Sequence, residues 1–253
     1  MLNKSVVKYI QSLGQKKPRD EEQVFIAEGP KLIKDLLESD NAEIIHLYAT
    51  ADWIQMNKMY AEEYDMTEIT DADLDRISQL TSPNKVLAVA KQFAVSKKTD
   101  LRNKITLVLE TIQDPGNMGT IIRTADWFGL EQIVCSHDCA DMYNPKVVQA
   151  TMGSIARINV LYTDLEKWLA AQKNIPIYAT ILEGQDITTI KKLSEAIILI
   201  GNESKGISPE LLKLANIKIT IPKKTRLNDV VGQGRAESLN AAVAAGIVLE
   251  RLI

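Results

Sequence analysis

Apolar positions along the chain follow two rhythms. In SVVKYIQSL, Val6, Val7, Ile10 and Leu13 recur at helical spacing. Pro30 opens a second helical segment, PKLIKDLLES, with Leu32, Ile33, Leu36 and Leu37 on one side. Between them KPRDEEQVFIAEG predicts a loop, a short strand over 23–27 and a turn at Gly29. EIIHLYAT and VLAVAKQF read as strands, and MTEITDADLDRISQL as a further strand and helix. The polar, lysine-rich stretch 94–104 interrupts this pattern as a linker would. Beyond it, the apolar runs ITLVL, QIVCS, IPIYATIL, AIILIG and IKITIP alternate with helical segments. That alternation predicts an α/β fold with a largely parallel sheet covered by helices on both faces. The last segment, ESLNAAVAAGIVLERLI, predicts a long helix, with Leu239, Val243 and Ile247 at every fourth position.

A chain of 253 residues, 45% hydrophobic and 25% charged, has the composition of a soluble globular protein with a full core. No apolar run approaches the roughly 20 residues of a membrane span, and the N-terminus lacks a secretory apolar core, so a cytoplasmic protein is expected. The two cysteines bracket His137 in CSHDC. Zinc needs four ligands and His46 is the only other histidine, so reduced structural thiols are expected and no metal. Net charge is −3, yet charge is segregated: residues 35–75 hold twelve acids against Lys58, while 85–104 and 211–226 are lysine-rich. Such segments supply either a basic face for phosphates or ordinary solvated surface.

Ligands of parallel sheets gather beyond the carboxyl ends of the strands, and three loops there carry unusual residues. In DPGNMGTIIRTADWFG (114–129), Asn117 is a candidate N-cap, and Arg123 lies roughly opposite Ile121 at about 100° per residue. Arg123 is then a solvated side chain or a guanidinium placed to fork a phosphate. In LIGNESKG (199–206) a buried strand runs into a glycine turn, and Glu203 either binds a ligand or caps the next helix. In IKITIPKKTRLNDVVGQGRAESLN (217–240), Ser238 is a candidate N-cap, while Asn240, a poor helix former, needs another reason to be there.

NMGTIIRTADWFG, IGNESKGIS and IP…SLNAAVAAG, in that order at strand-to-helix junctions, resemble the SpoU (TrmH-type) family of RNA 2′-O-ribose methyltransferases in the SPOUT superfamily. VFIAEGPKLIKDLL with SPNKVLAVA is similar to the L7Ae/L30e-like RNA-binding domain that precedes many such catalytic domains. The resemblance implies an L30e-like α/β substrate-binding domain over 1–94, a linker over 95–104 and a catalytic domain with a C-terminal trefoil knot over 105–253. It implies S-adenosylmethionine as methyl donor, no metal, and a homodimer. The implied substrate is RNA, large-subunit ribosomal RNA before tRNA, and not DNA, which lacks the 2′-hydroxyl. A catalytically silent RNA-binding protein of the same fold is the other reading, and G-x-G-x-x-G and G-K-[ST] loops are absent.

Carried over residue by residue, the resemblance makes Arg123, Asn117, Glu203, Ser238 and Asn240 the catalytic set. Thr180, Leu182, Gly201, Ile221 and Leu239 become the methyl-donor pocket. Arg19, Lys31, Lys223, Lys224 and Arg226 are expected to touch RNA, with Gly232 and Gly234 hinging a lid. The chain departs from the family between Pro222 and Ser238, where KKTRLNDVVGQGRAE replaces a compact connection, and in having alanines after Ser-Leu-Asn.

Overall fold

The computed structural model describes residues 1–96, 100–223 and 236–253. They form two compact units: Met1–Ala94 with Asp141–Arg157, and Val95–Ala140 with Ile158–Ile253.

The first unit runs α1 (Lys4–Ser12), α2 (Lys16–Glu22), β1 (Val24–Glu28), α3 (Pro30–Leu37), β2 (Ile44–Thr50), α4 (Ala51–Met56), α5 (Lys58–Glu63), β3 (Met66–Ile69), α6 (Asp71–Ile77) and β4 (Val86–Lys91). Its sheet has the order β1-β4-β2-β3, antiparallel except for the β2/β3 pair. Val7 and Ile10 of α1 and Leu13 at its C-cap pack with Leu74 and Ile77 of α6 against Val24, Ile26, Leu87 and Val89. The helical spacing of α1 thus delivers one apolar stripe to one sheet face.

A loop is expected over 17–22, but a helix, Lys16–Glu22, forms there. Pro18 sits in its first turn, where its missing N–H has no helical acceptor to lose. The segment escapes periodicity because its one buried side chain is a charged one, Arg19. Arg19 is 1% exposed. Its guanidinium donates to the Leu13 carbonyl at 2.9 Å and pairs with Asp141 at 2.5 Å. An RNA contact by Arg19 is therefore corrected: the side chain is spent inside the protein.

Asp141–Arg157 lies in sequence within the second half of the chain but packs with the first unit. Its helix α8 (Pro145–Thr151) rests on β1. Tyr143 stacks with Phe25 and Phe93 at ring-centroid distances of 5.1 and 6.3 Å. Gly153, at φ +94, abuts Asp35 so closely that a side chain there would collide with the carboxylate. Much of the basic segment 85–104 is neutralised in space: Lys85 pairs with Asp52, Lys91 with Glu43 and Lys104 with Glu131.

The second unit contains β5 (Ile105–Leu109), α7 (Pro115–Trp127), β6 (Gln132–Cys135), β7 (Asn159–Tyr162), α9 (Leu165–Ala170), β8 (Ile177–Asp186), β9 (Ala196–Ile200), α10 (Pro209–Leu214), β10 (Ile217–Thr220) and α11 (Ala241–Leu252). The sheet order is β10-β8-β9-β5-β6-β7, every neighbour parallel. On one face Val108, Val134, Ile197 and Leu199 pack with Leu165 and Leu169 of α9 and Leu211 of α10. α7 and α11 pack on each other, with contacts to β6 and β9. Strands buried on both sides need apolar residues at every position, which is why they read as continuous runs. β7 carries only the short run Val160–Tyr162, which is not among the expected strands; it is an edge strand, largely half-buried.

The fourfold stripe expected in the last helix does not face the core, and its first member, Leu239, precedes the helix. Ala241, Ala242, Ala245, Val248, Leu249 and Leu252 are buried, whereas Leu239, Val243 and Ile247 are exposed. Among the described residues no helix is long and apolar enough to cross a membrane.

From β5 the chain builds outward through β6 and β7, then crosses to β8 and β9 on the other side. The β5/β9 boundary is therefore the topological switch point of the sheet, where a crevice opens beyond the strand ends.

Candidate active site

Both strands at the switch point deliver polar residues to the same place. After β5, α7 is capped by Asp114, whose carboxylate accepts the Asn117 backbone N–H at 2.8 Å. Asn117 is thus not the cap. It stands one turn inside the helix with its side chain free for other partners. After β9, the chain turns at Gly201, where a Cβ would run into the Gly206 carbonyl and lie 2.6 Å from the Ile207 nitrogen. Only glycine permits that approach.

α11 is capped by Asn240, which accepts from Ala242 and Val243 N–H at 3.0 and 3.3 Å. The cap is Asn240 and not Ser238, so its place at the helix start is explained. Asn240 also donates its amide to Asn117 Oδ1 at 2.8 Å, while Asn117 donates to Glu203 Oε1. The three loops singled out in the sequence therefore meet in one chain of side-chain hydrogen bonds, with Asn117 as its centre.

Beside this chain lies a cavity of about 1240 Å³. It is walled by β8, which leaves the β10 ladder: pairing stops after Ala179/Lys218 and resumes at Gln185/Ile219. Residues 180–184 bulge away between these points. Thr180 donates to the Leu199 carbonyl at 2.7 Å and Thr220 to the Leu182 carbonyl at 2.9 Å, which pins the start and the middle of the bulge. Thr180, Leu182, Gly201, Ile221 and Leu239 all line the cavity. Glu203 and Ser238 line it too. Leu182 and Leu239 stand 74% and 44% exposed at its rim.

Arg123 does not line that cavity. It projects from α7, exposed, with no hydrogen bond or ion pair among the described residues. Lys31 is exposed at the start of α3, in the first unit. Lys223 lines the cavity and donates to the Ala236 carbonyl at 2.7 Å. Lys224, Arg226, Gly232 and Gly234 lie outside the described residues.

Sequence reasoning missed Thr111 and Asn202, which brace the two loops. Asn202 donates to the Thr111 carbonyl at 2.9 Å and accepts from Ser204 and Lys205 N–H at 2.9 and 3.0 Å. An asparagine just past a strand-ending glycine was the available signal, since such side chains bind backbone N–H groups two or three residues on.

The CSHDC segment also serves this region. Both thiols are free and buried, and Cys139 accepts the Ile112 N–H at 3.2 Å. Burial pushes the Cys135 thiol well above its ordinary value. The hydrogen bond from Cys135 brings Cys139 down to about 7, against burial. Cys139 is 8% exposed and Cys135 not at all, so iodoacetamide should label Cys139 slowly and Cys135 only on unfolding. Equal, rapid labelling of both in the folded protein would contradict this burial. Among the described residues no cluster of histidine, cysteine or carboxylate side chains could hold a metal.

Residues 104–250 match the sequence profile of the SpoU rRNA Methylase family, and residues 4–88 that of the MRM3-like substrate binding domain. The chain is 28% identical to the 23S rRNA (guanosine(2553)-2′-O)-methyltransferase RlmP of Bacillus subtilis, over 97% of this chain and 95% of the relative. Among solved structures, a TrmH-family protein from Porphyromonas gingivalis is 34% identical, with a TM-score of 0.83, over 99% of this chain and 98% of its own. The AdoMet-bound rRNA methyltransferase of Sinorhizobium meliloti is 32% identical, with a TM-score of 0.81, over 99% and 95%. With the profile spanning the whole parallel-sheet half and all three converging loops, this chain belongs to the SpoU rRNA Methylase family.

Proposed function

We propose that this protein transfers a methyl group from S-adenosylmethionine to a ribose 2′-hydroxyl of large-subunit ribosomal RNA. The observation that carries the reading is the cavity, whose wall includes Glu203 of the Asn117–Glu203–Asn240 chain. Its volume exceeds the about 300–1,000 Å³ of ordinary ligand pockets, leaving space for a nucleoside-sized donor. Its walls fit such a donor: Leu182, Ile221 and Leu239 offer apolar surface, and the 180–184 bulge offers backbone groups freed from pairing. The rRNA methyltransferase names of the relatives support ribosomal RNA over tRNA.

When bound, the donor supplies a methyl group already activated on a sulfonium. The protein's task is then orientation, exclusion of water and removal of the hydroxyl proton. Leu182, Ile221 and Leu239 exclude water around the transferred group. Glu203, Asn117 and Asn240 hold the two sides of the crevice in register. Arg123 grips a phosphate next to the target ribose and steadies the negative charge growing on its 2′-oxygen, the proton leaving to phosphate or water. A guanidinium is a fixed cation with a forked set of donors, so it acts here as a clamp.

Within this reading, residues 1–94 are an L7Ae/L30e-like domain that presents RNA, with Lys31 at its surface, 95–104 link it to the catalytic domain of 105–253, and the C-terminal segment forms a trefoil knot. A homodimer is supported by Trp127 on α7 and Val243 and Ile247 on α11, which expose apolar surface on two helices packed together. The protein works in the cytoplasm, where its RNA is made and folded.

The test is transfer of labelled methyl from S-adenosylmethionine to unmodified ribosomal RNA and to tRNA, with alkali-resistant positions mapped afterwards. One labelled position in large-subunit RNA is the expected result. Label in tRNA alone would move the substrate, and label in neither would leave an RNA-binding protein without this activity.

A further inference from the structure

We propose that Asp138 is a positioning residue for the methyl-donor site: with Ser136 it holds Thr111 in a left-handed backbone conformation, and Thr111 fixes the loop that carries Glu203. The inference rests on the methyltransferase reading above and assigns a role to CSHDC that no site residue there supplies directly.

Thr111 stands two residues beyond β5 at φ +57. A β-branched residue is strained in that region and stays there only where its surroundings over-determine it. Three hydrogen bonds do so. The Thr111 N–H donates to Ser136 Oγ at 2.9 Å, its hydroxyl donates to Asp138 Oδ2 at 2.8 Å, and its carbonyl accepts from Asn202 Nδ2 at 2.9 Å. Ser136 donates its own hydroxyl to the other carboxylate oxygen of Asp138 at 2.5 Å. One carboxylate thereby takes both hydroxyls. Burial raises the pKa of Asp138, but these two donors hold it below the ordinary carboxylate value. The neighbouring Ile112 is tied to the same segment, through Cys139 Sγ and through its carbonyl to the Ala140 N–H at 2.8 Å.

The far end of this bracket is the donor loop. Asn202 gathers the N–H groups of Ser204 and Lys205 and exchanges backbone bonds with Gly206 at 3.1 and 2.8 Å. Glu203 is thus held between two fixed neighbours, facing the cavity and Asn117. If Asp138 is lost, Thr111 can relax out of its strained conformation. Its carbonyl then turns away from Asn202, and the 202–206 loop loses its anchor. Asp138 itself does not line the cavity, so its effect must travel through Thr111 and Asn202.

The experiment measures S-adenosylmethionine affinity by calorimetry on the full chain, with urea unfolding alongside. Asp138→Ala and Thr111→Val should each weaken binding about tenfold, the scale of one lost hydrogen bond to a charged group. Thr111→Ser, which keeps the hydroxyl, should stay within about twofold of wild type. In an Asn202→Ala background, Asp138→Ala should add less than about twofold, because the link it acts through is already cut. Thr111→Val keeps the side-chain shape and serves as the readout should Asp138→Ala fail to fold. Wild-type affinity in Asp138→Ala, or a full additive loss in the Asn202→Ala background, would overturn the positioning role. If wild-type protein binds no S-adenosylmethionine, the methyltransferase reading falls first and this inference with it.

Discussion

Replacing Arg123 with alanine is expected to lower methyl transfer about 100- to 1,000-fold, the range for deleting one donor to a developing oxyanion. S-adenosylmethionine affinity should stay within about twofold, because Arg123 lies off the cavity wall. Thermal stability should hardly change, since an exposed side chain with no partner among the described residues contributes within about 0.5 kcal/mol. Arg123→Lys should recover only part of the rate: the charge returns but the two-pronged grip on phosphate does not. The rate should also lack a rising limb at very high pH, which a guanidinium working as a base would require. A parallel fall in donor affinity, or an unchanged rate, would remove Arg123 from the chemistry.

The largest effect on stability is expected at Arg19. Removing one partner of a buried ion pair costs about 3–5 kcal/mol, because the other charge is left without compensation. Arg19→Met should fall toward the lower end, since the Asp141 side chain keeps 16% exposure and still accepts the Tyr143 N–H. The double variant Arg19→Met, Asp141→Leu should regain most of the loss, as apolar pairs often replace buried ion pairs without penalty. Urea unfolding of the two variants makes the comparison. A single variant as stable as the double would contradict the buried pairing. Folded Arg19→Met should also bind RNA with an unchanged salt slope, because a guanidinium held by Leu13 and Asp141 neutralises no phosphate.

Four of the strands that were legible in advance share one physical property. β5, β6, β8 and β9 sit in a sheet with helices on both sides, so burial imposes apolar residues in unbroken runs. α2 and β7 were not legible, for opposite reasons. One is a charged helix anchored by a single buried arginine, and the other a four-residue, half-buried edge strand whose apolar run Val160–Tyr162 is too short to mark an element by itself. The stripe of Leu239, Val243 and Ile247 misled in a third way. Fourfold spacing marks a common side of a helix but not which side is covered, and here the alanines pack inward.

For the site, residue types and their order carried the three loops, and the resemblance gave them roles. What spacing could not carry was their connection. Asn117 read as a cap and Ser238 as another, whereas Asp114 and Asn240 do the capping and release Asn117 to bridge Glu203 and Asn240. Capping depends on which side chain reaches an N–H two or three residues on, a choice made by backbone angles that neighbours in sequence leave open.

By itself, then, the sequence determined a parallel α/β half with chemistry at three strand-to-helix turns, because burial and turn geometry act over a few residues. Only the tertiary structure decided that the turns share one cavity, that Arg19 faces inward to Asp141, and that Thr111 is held by Ser136 and Asp138. Each of these joins residues far apart in the chain. Such contacts exist only once the sheet order β10-β8-β9-β5-β6-β7 and the packing of 141–157 with the first unit have brought their ends together.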